Sequence, residues 1–308
     1  MRLSRSLRES LTDLWLVGPS AFLMMVLIFI PVALVTALSF TDYQFGARSF
    51  NWVGLSNYID IFSDPNGRKA VINTAVYALI VIPFSVGFGL LAAIGLHNLA
   101  KGWPRVAALL RTAYFLPVAA TLVAMATVWQ VMLHPTLGIV NHALEAMGLS
   151  GQAWLSDRSL VLYSLAMIGI WQTVGYNMVL FLAGLSGVPD TLYDAAEVDG
   201  ASTGWARFWL VTWPMLGPTT LFVMVITATT SLRVFETVAT MTQGGPAFAS
   251  DTLVYAMYRE GFVYFRGGYA AALTVIFFVA VLILTLAQFR VMEKRVHYKR
   301  RSQTSDLH

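Results

Sequence analysis

Apolar positions in this chain gather in long unbroken runs, without the alternation of a half-buried strand or the one-sided stripe of a surface helix. Six such runs occupy residues 14–40, 71–96, 106–132, 160–184, 215–238 and 269–289. Crossing about 30 Å of hydrocarbon takes roughly 20 helical residues, so each run is long enough to span a bilayer. Strands would have to close into a barrel and alternate apolar with polar residues, which these runs do not. The expected fold is all-α and polytopic: six transmembrane helices within residues 14–292, with short tails at 1–13 and 293–308. The segments between runs are short, and none has the composition of a separate globular domain.

Composition agrees with a membrane protein, since 57% of the 308 residues are hydrophobic and 12% charged, where about a quarter of the residues in a globular domain are charged. Arg2, Arg5 and Arg8 precede the first run as they would in a signal peptide. That run is longer than the 7–15 residues of a typical signal core and a second span follows, so it is expected to stay attached. Asp64–Gly67, Asp-Pro-Asn-Gly, reads as a turn.

Charge sets the expected orientation. Of the twenty Lys and Arg, thirteen fall on the N-tail, the loops after the second and fourth runs, and the C-tail: Arg2, Arg5, Arg8, Lys101, Arg105, Arg111, Arg207, Arg290, Lys294, Arg295, Lys299, Arg300 and Arg301. Positive charge resists translocation, so both termini and the loop at 189–213 are expected in the cytoplasm. The net charge of +4 follows from this asymmetry, and the basic C-tail suits anionic lipid, with no reason to invoke nucleic acid.

Several chemistries are excluded. There is no cysteine, hence no disulfide, thiolate metal site or cysteine nucleophile. His97, His134, His142, His297 and His308 form no metal-binding pair, and no G-x-x-x-x-G-K-[ST] is present to cradle a nucleotide. No catalytic residue and no metal ligand is assigned.

One polar stretch interrupts the runs. Residues 193–214, YDAAEVDGASTGWARFWLVTWP, belong to a loop carrying Asp190, Asp194, Glu197 and Asp199. Pro189 suits a first helical turn, Leu192, Ala195, Ala196 and Asp199 follow at helical spacings with the two alanines sharing a face, and Gly200 can take positive φ. A second short helix can start at Ser202 and group Trp205, Phe208 and Trp209 on one side. An amphipathic loop lying among headgroups would explain the tryptophans but not the acids, which are poor company for anionic lipid.

These residues resemble the cytoplasmic loop of ATP-binding-cassette importer permeases, whose pattern is Glu-Ala-Ala, two residues, Asp-Gly-Ala, then Phe and a Pro-containing span start. Asp194, Ala195, Ala196, Asp199, Gly200, Ala201, Phe208 and Pro214 stand at the matching places, Asp194 replacing the usual Glu. WVGLSNYIDIF (52–62), NTAVYAL (73–79), YFLPVA (114–119) and LRVFETVATMTQGGP (232–246) resemble the carbohydrate-uptake branch, and the endings TLVYAMYREGF and QFRVMEKRVHY its glycerol-3-phosphate members. The resemblance implies a coupling loop, with Asp194, Ala195, Ala196, Glu197, Asp199, Gly200 and Ala201 seated on an ATPase. It implies as partners two cytoplasmic ATPase subunits that supply ATP and Mg, a second homologous permease and an extracytoplasmic solute-binding protein. The setting would be a bacterial or archaeal inner membrane, the cargo a sugar or glycerol-phosphate type solute.

Polar residues near the membrane midplane are the candidates for the path. WQTVGYN in the fourth run supplies Trp171, Gln172, Thr173, Tyr176 and Asn177, and the fifth run Thr227, Thr230 and Ser231. In maltose-type permeases the stretch matching WQTVGYN helps hold the sugar. Thr and Ser in membrane helices also bond their own backbone, so the cluster counts for more than any member. Arg233 and Glu236 either face the path or pair locally at i, i+3; their place in a motif common to the sugar branch favours local pairing. His134 and Glu145 are expected to be solvated or to meet a docking protein, and Pro83, Pro117, Gly87 and Gly89 to make kinks and close crossings. An ion-coupled carrier would show acids deep in the runs, and none is present.

Overall fold

The computed structural model describes residues 17–201 and 203–303, with side chains up to Arg290. Arg2, Arg5, Arg8 and Ser202 lie outside the described residues, as do the side chains of the basic C-tail. All regular secondary structure among the described residues is helical, with one isolated bridge, Thr41 to Trp52, and no strand.

In chain order the helices are α1 (Val17–Leu38), α2 (Ser56–Ser63), α3 (Pro65–Gly102), α4 (Pro104–Ala119), α5 (Leu122–Met132), α6 (Ile139–Ala146), α7 (Val161–Ser186), α8 (Asp190–Val198), α9 (Gly204–Arg207), α10 (Gly217–Leu232), α11 (Glu236–Met241), α12 (Leu253–Tyr258) and α13 (Gly267–Gln303). Among the described residues, five helical stretches are long and apolar enough to cross a bilayer, or six when α4 and α5 count as one broken span.

The third run bends where a kink was expected of Pro117, and sharply: α4 and α5 meet at 101°. Pro117 removes a backbone donor in the last turn of α4, and Ala120 (ψ 150°) and Thr121 (ψ 135°) are extended. The Asp64–Gly67 turn is instead the start of α3. Asp64 accepts from the amides of Asn66 and Gly67, both at 3.3 Å, and Pro65 takes the first helical position, where its missing N–H costs nothing.

The chain divides into two compact units, one drawing on residues up to Gly67 and Ala256–Phe278, the other on Arg68–Tyr255 and residues from Val279 on. In the second unit α7 is central. Its N-terminal half packs Leu162, Leu165, Ala166 and Ile168 with Tyr77 and Val81 of α3 and with Val238 and Met241 of α11. Its C-terminal half packs Met178, Phe181, Leu182 and Leu185 with Val86, Leu90, Ala93 and Leu96 of α3 and with Val223 of α10. Glycines permit the crossings: a Cβ on Gly175 would overlap the Tyr114 carbonyl oxygen of α4, and one on Gly89 would stand 2.7 Å from Asn177 Cβ. Gly87 has open space instead.

In the first unit, the chain leaving α1 runs beside the start of α13. The Gly268 amide donates to Tyr43 O at 2.7 Å and the Phe45 amide to Phe265 O at 3.0 Å.

Candidate functional site: a coupling loop and a polar cleft

The loop from Pro189 to Met215 folds as the sequence suggests, with sharper detail. α8 opens after Pro189 (ψ 134°) with Asp190 in its first turn, where a carboxylate favours the helix dipole. It closes at Gly200, φ +93°. There the Ala201 amide donates to Ala196 O at 2.8 Å and the Gly200 amide to Glu197 O at 3.1 Å, the paired bonds of a Schellman cap. The second helix starts one residue later than expected: Thr203 Oγ1 accepts the Ala206 amide at 3.2 Å. α9 then runs through a wide π turn, Phe208–Thr212, into Trp213–Met215.

Ala195 and Ala196 do not share a face. Ala196 is buried with Val188, Ala201 and Val211, whereas Ala195 is exposed. Adjacent helical residues stand about 100° apart, so packing one alanine inward turns the other out. The outward surface carries Leu192, Asp194, Ala195 and Asp199, and also Val198, which is 88% exposed.

Glu197 has a partner inside the loop: Arg207 Nη2 lies 3.0 Å from Glu197 Oε2, and Arg207 Nε donates to Ala201 O at 3.1 Å. Tyr193 and Thr212 share a 3.1 Å hydroxyl contact. Trp205, Phe208 and Trp209 cluster as anticipated, and Trp213 joins them 5.9 Å from Trp209. Sequence reasoning missed Val198, Thr203 and the holding role of Arg207; an Arg ten residues after a Glu across a Gly corner was the available signal.

A cleft of about 250 Å³ opens between α3, α7, α10 and α11. Gln172, Thr173, Thr230 and Ser231 line it, together with Arg233, Glu236 and Thr237. Thr173 and Thr230 bond their own helices, to Gly169 O at 2.7 Å and Ile226 O at 2.9 Å. The Thr237 hydroxyl is buried and has no hydrogen-bond partner. Arg233 and Glu236 are exposed on the cleft wall, and among the described residues no ion pair joins them. The expected local pairing is therefore absent. A short break after α10, with Phe235 at φ −139° and ψ −58°, interrupts the regular i, i+3 geometry between them.

Other path candidates lie elsewhere. Asn177 and Thr227 are buried and tied to each other, Thr227 Oγ1 donating to Asn177 Oδ1 at 3.0 Å, so they join α7 to α10. Trp171 packs edge-on against Trp129 at 5.4 Å and lines an apolar groove with Tyr114. Tyr176 is half-buried and absent from the cleft wall. His134 folds back on its own turn, Nδ1 accepting the Leu137 amide at 3.2 Å.

Membrane-crossing helices joined by a folded polar loop define a membrane protein of several spans. The chain is 33% identical over 284 residues to the sn-glycerol-3-phosphate transport system permease protein UgpA of Agrobacterium fabrum, covering 92% of this chain and 95% of that one. It is 32% identical over 280 residues to the probable ABC transporter permease protein YurN of Bacillus subtilis, covering 90% and 94%. A chain of the bacterial alginate ABC transporter, solved in complex with an alginate pentasaccharide-bound periplasmic protein, has the same fold, with a TM-score of 0.79, 22% identity and coverage of 95% and 99%. No family model matches. The chain belongs to the ABC transporter permease family.

Proposed function

We propose that this subunit carries a polyhydroxylated solute, a sugar or glycerol-phosphate type compound, from an extracytoplasmic binding protein into the cytoplasm, driven by ATP and Mg held on partner subunits. The observation that carries the solute class is the cleft in which Gln172, Ser231 and the unpartnered Thr237 hydroxyl converge beside Arg233 and Glu236. An amide and hydroxyls both donate and accept, a guanidinium donates through a planar fork and a carboxylate accepts, which suits neighbouring hydroxyl groups. The two charges balance, so the cleft selects by hydroxyl pattern, and preference between neutral and phosphorylated solutes rests with the binding protein. The names of the relatives, a glycerol-3-phosphate permease and an alginate transporter, support the same class.

The loop supplies the coupling. Asp194, Ala195, Val198 and Asp199 face outward for an ATPase subunit, while Ala196, Glu197, Gly200 and Ala201 hold the corner. Two ATPase subunits and a second permease complete the assembly in an inner membrane, with both termini cytoplasmic. Closure of the ATPases switches the helices between two packed states by rigid-body motion. Gln172→Ala tests the solute reading: KM for uptake should rise while basal ATPase activity and assembly stay unchanged. An unchanged KM would take the cleft off the path.

A further inference from the structure

α2 presents an apolar face for which the transport mechanism has no use. Leu55, Ile59 and Phe62, spaced i, i+4, i+7, are 61%, 63% and 52% exposed. The opposite face is fixed to the protein. Ile61 is fully buried, and the buried Asn57 amide donates to Ser39 O at 2.9 Å and Thr41 O at 2.8 Å. Tyr58 adds a 2.7 Å hydroxyl contact to Ser39. The exposed surface is split lengthwise, Leu55, Ile59 and Phe62 on one side and Ser56, Asp60 and Ser63 on the other, the pattern of a helix lying between an apolar and an aqueous phase.

Its position along the membrane follows from the same bonds. The described part of α1 has 22 residues, which at about 1.5 Å each cover the ~30 Å hydrocarbon core, so Leu38 stands near the hydrocarbon boundary. Ser39 and Thr41 come directly after it, and Asn57 hangs α2 at that level. Trp52, bridged to Thr41, is 69% exposed there, as interfacial tryptophans are. No part of the most apolar window of α1 is buried within the chain, so the apolar surface continues from the span onto α2.

We propose that α2 is an interfacial helix whose Leu55–Ile59–Phe62 face lies in the headgroup and upper acyl region of the bilayer at the Leu38 end of α1. Asn57 ties the helix to the backbone just past the end of the first span. The proposal rests on the membrane-spanning fold and not on the identity of the solute.

The chain has no cysteine, so single variants take a nitroxide label cleanly. Ile59→Cys, Phe62→Cys and, on the flank of the helix, Asp60→Cys are labelled in the assembled complex in lipid nanodiscs, with the unsubstituted complex subtracting signal from accompanying subunits. Labels at 59 and 62 should collide with oxygen over a water-soluble nickel chelate at a ratio several-fold above the label at 60. Equal nickel access at all three sites would place the face in water. Protection of 59 and 62 from both reagents would mean that another protein covers it. Either result overturns the proposal.

Discussion

The Ala201 amide reaches back across the corner of the loop from Pro189 to Met215 to the Ala196 carbonyl at 2.8 Å, and Gly200 between them holds φ at +93°. Both alanines are buried in one small cluster, so the corner fixes the angle between the two short helices.

Substituting Gly200 by Val therefore attacks the backbone alone, since no atom lies within 4 Å of the added Cβ. A β-branched residue at positive φ costs on the order of 1–3 kcal/mol, enough to reopen a surface corner. Uptake and solute-stimulated ATPase activity should be lost while membrane levels stay normal. Normal transport in that variant would remove the corner from the mechanism.

Arg207 does two jobs in the same corner, pairing with Glu197 at 3.0 Å and donating to Ala201 O at 3.1 Å. The ion pair is largely exposed and worth at most about 1 kcal/mol. Arg207→Ala should thus weaken co-purification of the ATPase more than Glu197→Ala does. Equal losses would mean that the carbonyl contact contributes nothing.

Thr237→Val keeps the side-chain shape and deletes a hydroxyl that has no partner in the protein. Stability should hold or improve, because a buried unsatisfied group costs about 1–3 kcal/mol. If the solute bonds this hydroxyl, KM for uptake should rise by roughly 2- to 10-fold, the equivalent of about 0.5–1.5 kcal/mol. Improved stability with an unchanged KM would make Thr237 a packing residue.

Thr227→Val makes the opposite trade. It leaves Asn177 Oδ1 without the 3.0 Å donor it has in a fully buried site, which should lower thermal stability in detergent by about 1–3 kcal/mol. KM should not move. A raised KM at full stability would return Thr227 to the path.

The spans and the loop were legible in the sequence for different reasons. Unbroken apolar runs of bilayer length leave few alternatives to a spanning helix, and the spacing from Asp194 to Gly200 requires a helix ended by a residue free to take positive φ. Which side of a helix turns inward was not legible. α7 is apolar around its circumference, so no amphipathic stripe separated Gln172 on the cleft from Asn177 in a helix crossing or Trp171 in a groove. Ala195 and Ala196 posed the same difficulty in α8. Arg233 and Glu236 were misjudged because the break after α10, visible only in the backbone, places both on the cleft wall without pairing.

Under the proposed function, this permease moves solute only when ATPase subunits act through the loop from Pro189 to Met215. Uptake of radiolabelled glycerol-3-phosphate and of a neutral disaccharide into proteoliposomes, with solute-loaded binding protein outside and ATP inside, measures it directly. Uptake of at least one solute should require the ATPase subunits, internal ATP and the binding protein together. Uptake by this chain alone, driven by an ion gradient without ATP, would contradict the account.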